Sequence, residues 1–177
     1  MSPFTAPKQQ LLCIGKLKPK QSQWIQTGWQ EYAKRLNPYF QLELIEIPAG
    51  SAKSGATDSA AVKKAEAERL TPYWEKAGTR IVLSEHGKTY LSERFAETFR
   101  NVCLTGNPAN RGSGERSNGA MLWVIGGAHG LAPHLVQQAD WVVSLSPLTF
   151  PHQWVRLLWI EQLYRACRLL SGEPYHK

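Results

Sequence analysis

Three stretches of the 177-residue chain carry groups suited to chemistry. Gly126-Gly127-Ala128-His129-Gly130 would let a flat ligand approach bare backbone, because glycine has no Cβ and tolerates positive φ. The same residues serve equally as a tight strand-to-helix turn. They are not the GxGxxG dinucleotide fingerprint: the spacing differs and no acidic residue follows about 20 positions on. Leu145, Ser146, Pro147, Leu148, Thr149 and Phe150 offer hydroxyls, carbonyls and apolar side chains without a single charge. That combination suits a heteroaromatic base read by main-chain groups and suits a phosphate poorly. Ser146 and Thr149 could equally cap the helix that follows. The terminus Glu173-Pro174-Tyr175-His176-Lys177 is aromatic and titratable, where chain ends are ordinarily frayed. Just before it, Glu161 and Arg165 stand at i and i+4, with Arg168 on the same side. The pattern reads either as an intrahelical salt bridge of a few tenths of a kcal/mol or as a polar strip facing a cleft or partner. Walker A, HExxH and GxSxG patterns are absent.

Those stretches need a frame to hold them. Residues 141–145 read as a short buried strand, and 146–151 as a loop stiffened by a proline near each end. Residues 152–170 read as one long helix, stopped by Gly172 and Pro174. Val155, Trp159, Leu163, Ala166 and Leu170 line one side of it; Trp154, Leu157, Leu158 and Leu169 occupy others. A helix apolar all round predicts burial all round, against its own sheet and a second subunit. Upstream, apolar runs predict strands at 11–15, 40–47, 80–84 and 121–125, with Glu85-His86-Gly87-Lys88 as the third strand's exit turn. Helices are expected at 21–36, from 58 or 59 to 70, from Ser92 onward and at 133–139. Thr71-Pro72 either kinks the second helix or starts another.

Five strand-helix alternations with short, continuously apolar strands predict an α/β fold, a parallel sheet covered on both faces. Residues 10–177 form one domain behind a flexible extension, 1–9. The small, polar segments 49–59 and 105–119 are expected to be mobile loops. In such sheets ligands bind beyond the carboxyl ends of the strands, here Gly15-Lys16, 83–88, 126–130 and 145–151.

Composition sets outer bounds. Lys and Arg number 21 against 14 Asp and Glu, a net charge of +7 and a pI near 9.5. That favours a polyanionic partner, although mild basicity is common among proteins of this size. Cys13, Cys103 and Cys167 are too scattered for a zinc site or a disulfide framework, so buried thiols in a reducing cytoplasm are expected. The first ten residues lack the apolar core of a signal peptide, and no run approaches the roughly 20 apolar residues of a membrane span. A cytoplasmic protein with no membrane association is the expectation.

Taken together, LCIGKLK, YAKRLNPY, ELIEIP, IVLSEHGK, WVIGGAHGL, SLSPLTFPHQWVRLLWIEQLYRA and the terminal GEPYHK resemble the RlmH (formerly YbeA) family of SPOUT-class RNA methyltransferases. The matching segments keep the family's order over 11–177, and the TFPHQ…RxxxxEQLYRA run followed by PYHK is the specific part. The resemblance implies a five-to-six-stranded parallel sheet with helices on both faces and a C-terminal deep trefoil knot, a rare exception to the rule against threaded chains. It implies a homodimer using S-adenosyl-L-methionine and no metal. The implied acceptor is N3 of pseudouridine 1915 in helix 69 of 23S rRNA, within the assembled 70S ribosome. The family's cofactor contacts fall on Leu83, Gly127, Leu145, Ser146, Pro147, Leu148, Thr149 and Phe150. Its tail, matched by Tyr175-His176-Lys177, enters the active site across the dimer. Three departures stand out: the extension 1–9 and the insert 105–119 are longer than usual, and Ser84 replaces a common acidic residue, with Glu85 beside it.

The implied reaction is an in-line displacement, chiefly a task of positioning. A uracil-type N3–H is weakly acidic, so a base and a cation that stabilises the resulting anion would help. His176 is the candidate base, Arg156 the candidate anion stabiliser, and Tyr175 the stacking or hydrogen-bonding partner of the acceptor. The plainer readings are a frayed tail and a salt-bridged helix arginine. His152, opening the long helix, is expected to fix loop geometry rather than move protons. Lys16, Lys18 and Lys20, with Arg111 and Arg116, would meet RNA phosphates. Two other classes use the same residues: a non-catalytic ribosome- or rRNA-binding factor, and a nucleotide-binding α/β enzyme holding phosphate at 126–130.

Overall fold

The structure, a computed structural model, describes residues 7–18, 22–50, 59–105, 119–173 and 175. Lys20, Arg111, Arg116 and His176 therefore lie outside the described residues, as do most of the expected flexible extension and insert.

Strands and helices alternate as Gln9–Ile14 (β1), Gln23–Leu36 (α1), Leu42–Ile47 (β2), Ser59–Lys76 (α2), Thr79–Lys88 (β3), Ser92–Thr105 (α3), Met121–Ile125 (β4), Pro133–Gln137 (α4), Trp141–Val143 (β5) and His152–Leu170 (α5). The five described strands form one parallel sheet in the order β2-β1-β4-β3-β5. Successive side chains of a strand point to opposite faces, so covering both faces of the sheet explains the consecutive apolar residues Leu11–Ile14, Ile81–Leu83, Met121–Ile125 and Trp141–Val143. Leu11, Cys13, Ile81, Leu83, Trp123, Ile125 and Val143 face a core shared with α1, α3 and α5. Leu12, Ile14, Val82, Leu122 and Val124 face a second core shared with α2 and α4. An aromatic cluster dominates the first: Trp123 and Trp159 have ring centroids 4.8 Å apart, and Phe95 reaches Trp159 at 5.4 Å.

The structure bears on three expectations. α2 runs unbroken through Pro72. Leu70 and Trp74, on either side of the proline, are both buried in the second core, and that packing outweighs the lost helical hydrogen bond. The expected exit turn after Leu83 belongs to β3. Leu83 and Lys88 both stand opposite Val143, with 84–87 displaced between them, and the Ser144 amide donates to the Lys88 carbonyl at 2.9 Å. Gly87 permits this second approach, since a Cβ there would sit 2.5 Å from the Val143 carbonyl carbon. Finally, α5 is not buried all round within one chain. Arg156, Trp159, Ile160, Leu163, Ala166 and Cys167 are buried; the remaining apolar residues are half-exposed and Trp154 is 46% exposed.

Candidate active site

Strand register decides which exits are neighbours. Leu83 pairs with Ile125 on one side and Val143 on the other. Gly127 and Leu145, each two residues further on, therefore leave the sheet at one level, flanking the end of β3. With strands about 4.8 Å apart, those exits are separated by roughly 10 Å. Sequence-predicted contacts Leu83, Gly127 and Leu145 are thus brought to one edge of the sheet.

The loop after β5 is shaped by its own hydroxyls. Ser144 Oγ donates to the Ser146 carbonyl at 2.8 Å, and the Leu148 amide donates to Ser146 Oγ at 3.0 Å. Leu145 tucks against the first core, while Pro147, Leu148, Thr149 and Phe150 are exposed. Beneath Ser144 and Leu145 a cavity of about 30 Å³ is bounded by Tyr90, Phe95 and Trp159. A larger hollow of about 460 Å³ lies elsewhere, between α2 and α4, and contains none of the predicted contact residues. The smaller one lies under the start of the loop and, of the predicted contact residues, is lined by Leu145 alone.

At the neighbouring exits a polar knot of side chains is buried. Arg156, on the first turns of α5, is 0% exposed. One terminal nitrogen donates to Glu46 Oε1 at the end of β2, and the other to the Gly15 carbonyl at 3.0 Å. Glu46 Oε1 also accepts from the Leu17 amide at 3.0 Å. Arg156 thereby fastens α5 to the exits of β1 and β2, the arrangement of a salt-bridged helix arginine; its Nε has no partner among the described residues. His152 lies against Gly15, its Cε1 3.6 Å from where a Cβ on that glycine would stand. Burial holds its imidazole pKa below the ordinary range, opposed by a hydrogen bond with the Gly126 backbone. That fits a residue fixing loop geometry. Lys16 and Lys18 are exposed on the same rim, where Ser22 Oγ and Gln153 Oε1 meet at 2.7 Å.

Two carboxyls in this knot were not singled out from the sequence. Glu46 breaks the two-residue alternation of ELIEIP, falling on the opposite face of the strand from Glu43, and that break is the only local signal it gives. Glu66 interrupts the apolar stripe Val62, Ala67, Leu70, Trp74 of α2, and a charge inside such a stripe is the signal that could have found it. It is 3% exposed. Glu66 Oε1 accepts from the Gly50 amide at 2.9 Å, and Oε2 has no partner among the described residues. Both oxygens lie within 2.9 Å of where a Cβ on Gly127 would stand.

The tail is elsewhere. Arg165 donates to the Tyr175 carbonyl at 3.3 Å and stacks over the Tyr175 ring at 4.8 Å, while also bridging to Glu161 at 2.7 Å. Tyr164 meets the Tyr175 ring edge-on at 5.2 Å. Tyr39, just before β2, contacts both Tyr164 and Glu173. Tyr175 therefore sits at the amino edge of the sheet, about 20 Å of helix from His152. Within one chain, Tyr175 and the 145–150 loop are not brought together. Among the described residues no helix is long and apolar enough to cross a membrane, and no group of three His, Cys, Asp or Glu is placed to hold a metal ion.

A doubly covered parallel sheet that presents an uncharged loop and a bare glycine turn at the exits on either side of β3 defines a class, and the family described as predicted SPOUT methyltransferase matches residues 8–176. The chain belongs to that family and is a methyltransferase. Within it, the chain is 37% identical over 172 residues to the ribosomal RNA large subunit methyltransferase H of Desulforamulus reducens, covering 96% of this chain and 99% of the relative. The protein of that name from Pseudomonas fluorescens is 38% identical over 167 residues, 94% of this chain and 97% of its own. A putative counterpart from Methanocorpusculum labreanum is 37% identical over 171 residues, 95% and 98% of the two chains.

Proposed function

We propose that this protein methylates large-subunit ribosomal RNA at N3 of pseudouridine 1915 in helix 69, acting as a homodimer on the assembled 70S ribosome. The observation that carries the reading is the register that sets Gly127 and the 145–150 loop on either side of Leu83. S-adenosyl-L-methionine would supply an activated methyl group. Leu83, Gly127 and residues 145–150 fit its adenosyl part: the loop is uncharged, Gly127 leaves backbone bare, and Glu66 leaves a buried carboxyl oxygen without a donor.

Lys16 and Lys18, exposed on the rim of those exits, would meet RNA phosphates, each contact steepening the salt dependence of binding. Lys20 extends the same basic run in sequence. Arg156, with both terminal nitrogens engaged, acts by positioning the exits of β1 and β2. Tyr175 and His176 meet the acceptor from the partner subunit, His176 taking the N3 proton. The distance between Tyr175 and the loop in one chain supports that trans arrangement. Trp24 and Trp154, 51% and 46% exposed and edge-to-face at 5.3 Å, provide apolar surface suited to the dimer contact.

The proposal includes the deep knot. In its support, the chain leaves β5 beyond β3, yet by His152 it lies against Gly15 and Gly126, having crossed the ends of β3 and β4. Meanwhile Lys88, the last residue of β3, accepts from the Ser144 amide, and Tyr90 beyond it accepts from Trp141 Nε1.

The deciding experiment is tritiated-methyl transfer from S-adenosyl-L-methionine to ribosomes lacking the modification, beside free 23S rRNA. Label on the ribosomes and little on free RNA is expected. No label on either substrate returns the chain to the rRNA-binding-factor reading.

A further inference from the structure

Glu66 is the only acidic side chain that the described residues bury, and half of it has a structural use. Oε1 holds the Gly50 amide, while Arg69 on the next turn of α2 donates to the Pro48 and Ala49 carbonyls at 2.9 and 3.0 Å. Together they clamp the chain leaving β2. Nothing in that clamp needs Oε2, which is buried and unpaired among the described residues beside Gly127. Leaving a buried acceptor without a donor costs about 1–3 kcal/mol, so the arrangement calls for a ligand donor. His152 Nε2 is a second buried, unpaired atom, within electrostatic reach of Glu66.

Geometry limits which donor. A base held by the main chain of the 145–150 loop lies at the β5 exit, and the group attached to it falls toward the β4 exit, roughly 10 Å away. For an adenosyl compound that group is the ribose, whose two hydroxyls are donors that a carboxyl oxygen can accept. The amino-acid end also carries a donor, its ammonium, but it lies beyond the ribose from the base and so farther from a base seated at the β5 exit; 5′-methylthioadenosine, which lacks that end, separates the two.

Resting on the methyltransferase reading above, we propose that Glu66 is a cofactor-positioning residue, its Oε2 accepting from the ribose hydroxyls of the adenosyl group over Gly127. Glu66→Gln keeps the volume and an acceptor for the Gly50 amide while replacing the other oxygen with a donor. Calorimetric binding of S-adenosylhomocysteine, of 5′-methylthioadenosine, which lacks the amino-acid end, and of its 2′,3′-dideoxy analogue reads the assignment without any methyl transfer. The variant should bind the first two about tenfold or more weakly, and bind the dideoxy compound as the unaltered protein does.

Equal affinity of both proteins for S-adenosylhomocysteine overturns the assignment while leaving the methyltransferase reading intact. A loss confined to S-adenosylhomocysteine also overturns it, placing the carboxyl at the amino-acid end. Failure of the unaltered protein to bind any of the three overturns both. Should Glu66→Gln not fold, the unaltered protein still decides: equal affinity for 5′-methylthioadenosine and its dideoxy analogue removes the proposal.

Discussion

At Arg156 the chain buries a charge that two strand exits then satisfy, with Glu46 on one side and the Gly15 carbonyl on the other. A buried ion pair need not add stability over an apolar substitute, but breaking it strands the remaining charge. Arg156→Ala should therefore cost about 3 kcal/mol in denaturant unfolding, the low end for a buried pair because Glu46 keeps 29% of its side chain exposed. The double variant Glu46→Gln, Arg156→Met should recover much of that loss. An Arg156→Ala protein as stable as the parent would show that the guanidinium is free for the acceptor instead. The three cysteines behave as the sequence suggests: burial pushes the Cys13 and Cys167 thiols up to about 12, and Cys103 up as well. None is poised to react.

Among the elements, β3 has the least expected form. Glu85-His86-Gly87-Lys88 has turn composition, yet the chain returns to Val143 for a second pairing. Only a residue without Cβ fits at 87, because the contact is backbone against backbone and cannot be relieved by a rotamer change. Gly87→Ala should destabilise the fold by about 3 kcal/mol and loosen the 145–150 loop. Thermal unfolding, together with faster proteolysis near residue 148, reads both effects. Unchanged melting would mean the segment is free to move aside. α5 shows the opposite case, with bounds matching the sequence reading at both ends. Proline before it and Gly172 after it are local signals, read without reference to any partner.

For the whole molecule, Tyr175 and the loop occupy opposite edges of the sheet in one chain. A catalytic role for Tyr175 and His176 then requires two chains. Removing residues 175–177 should abolish methyl transfer and leave cofactor binding nearly unchanged. Mixing that protein with an otherwise intact Gly127→Val protein should restore activity, since each mixed dimer has one intact loop facing one intact tail. Rescue that fails although mixed dimers form would place the tail in cis or outside catalysis. The half-exposed outer residues of α5 and the exposed Trp24–Trp154 pair are where such a contact would cover apolar surface.

Strand-helix alternation, the doubly covered parallel sheet and the ends of α5 were set by local composition and period. Such signals need no knowledge of distant contacts. Strand order, the second pairing of β3, the sharing of one polar knot by Glu46, Glu66, His152 and Arg156, and the separation of Tyr175 from the loop came from tertiary structure alone. Those features depend on which distant segments meet. A one-dimensional pattern fixes which face of an element is apolar, but not which neighbour that face will find.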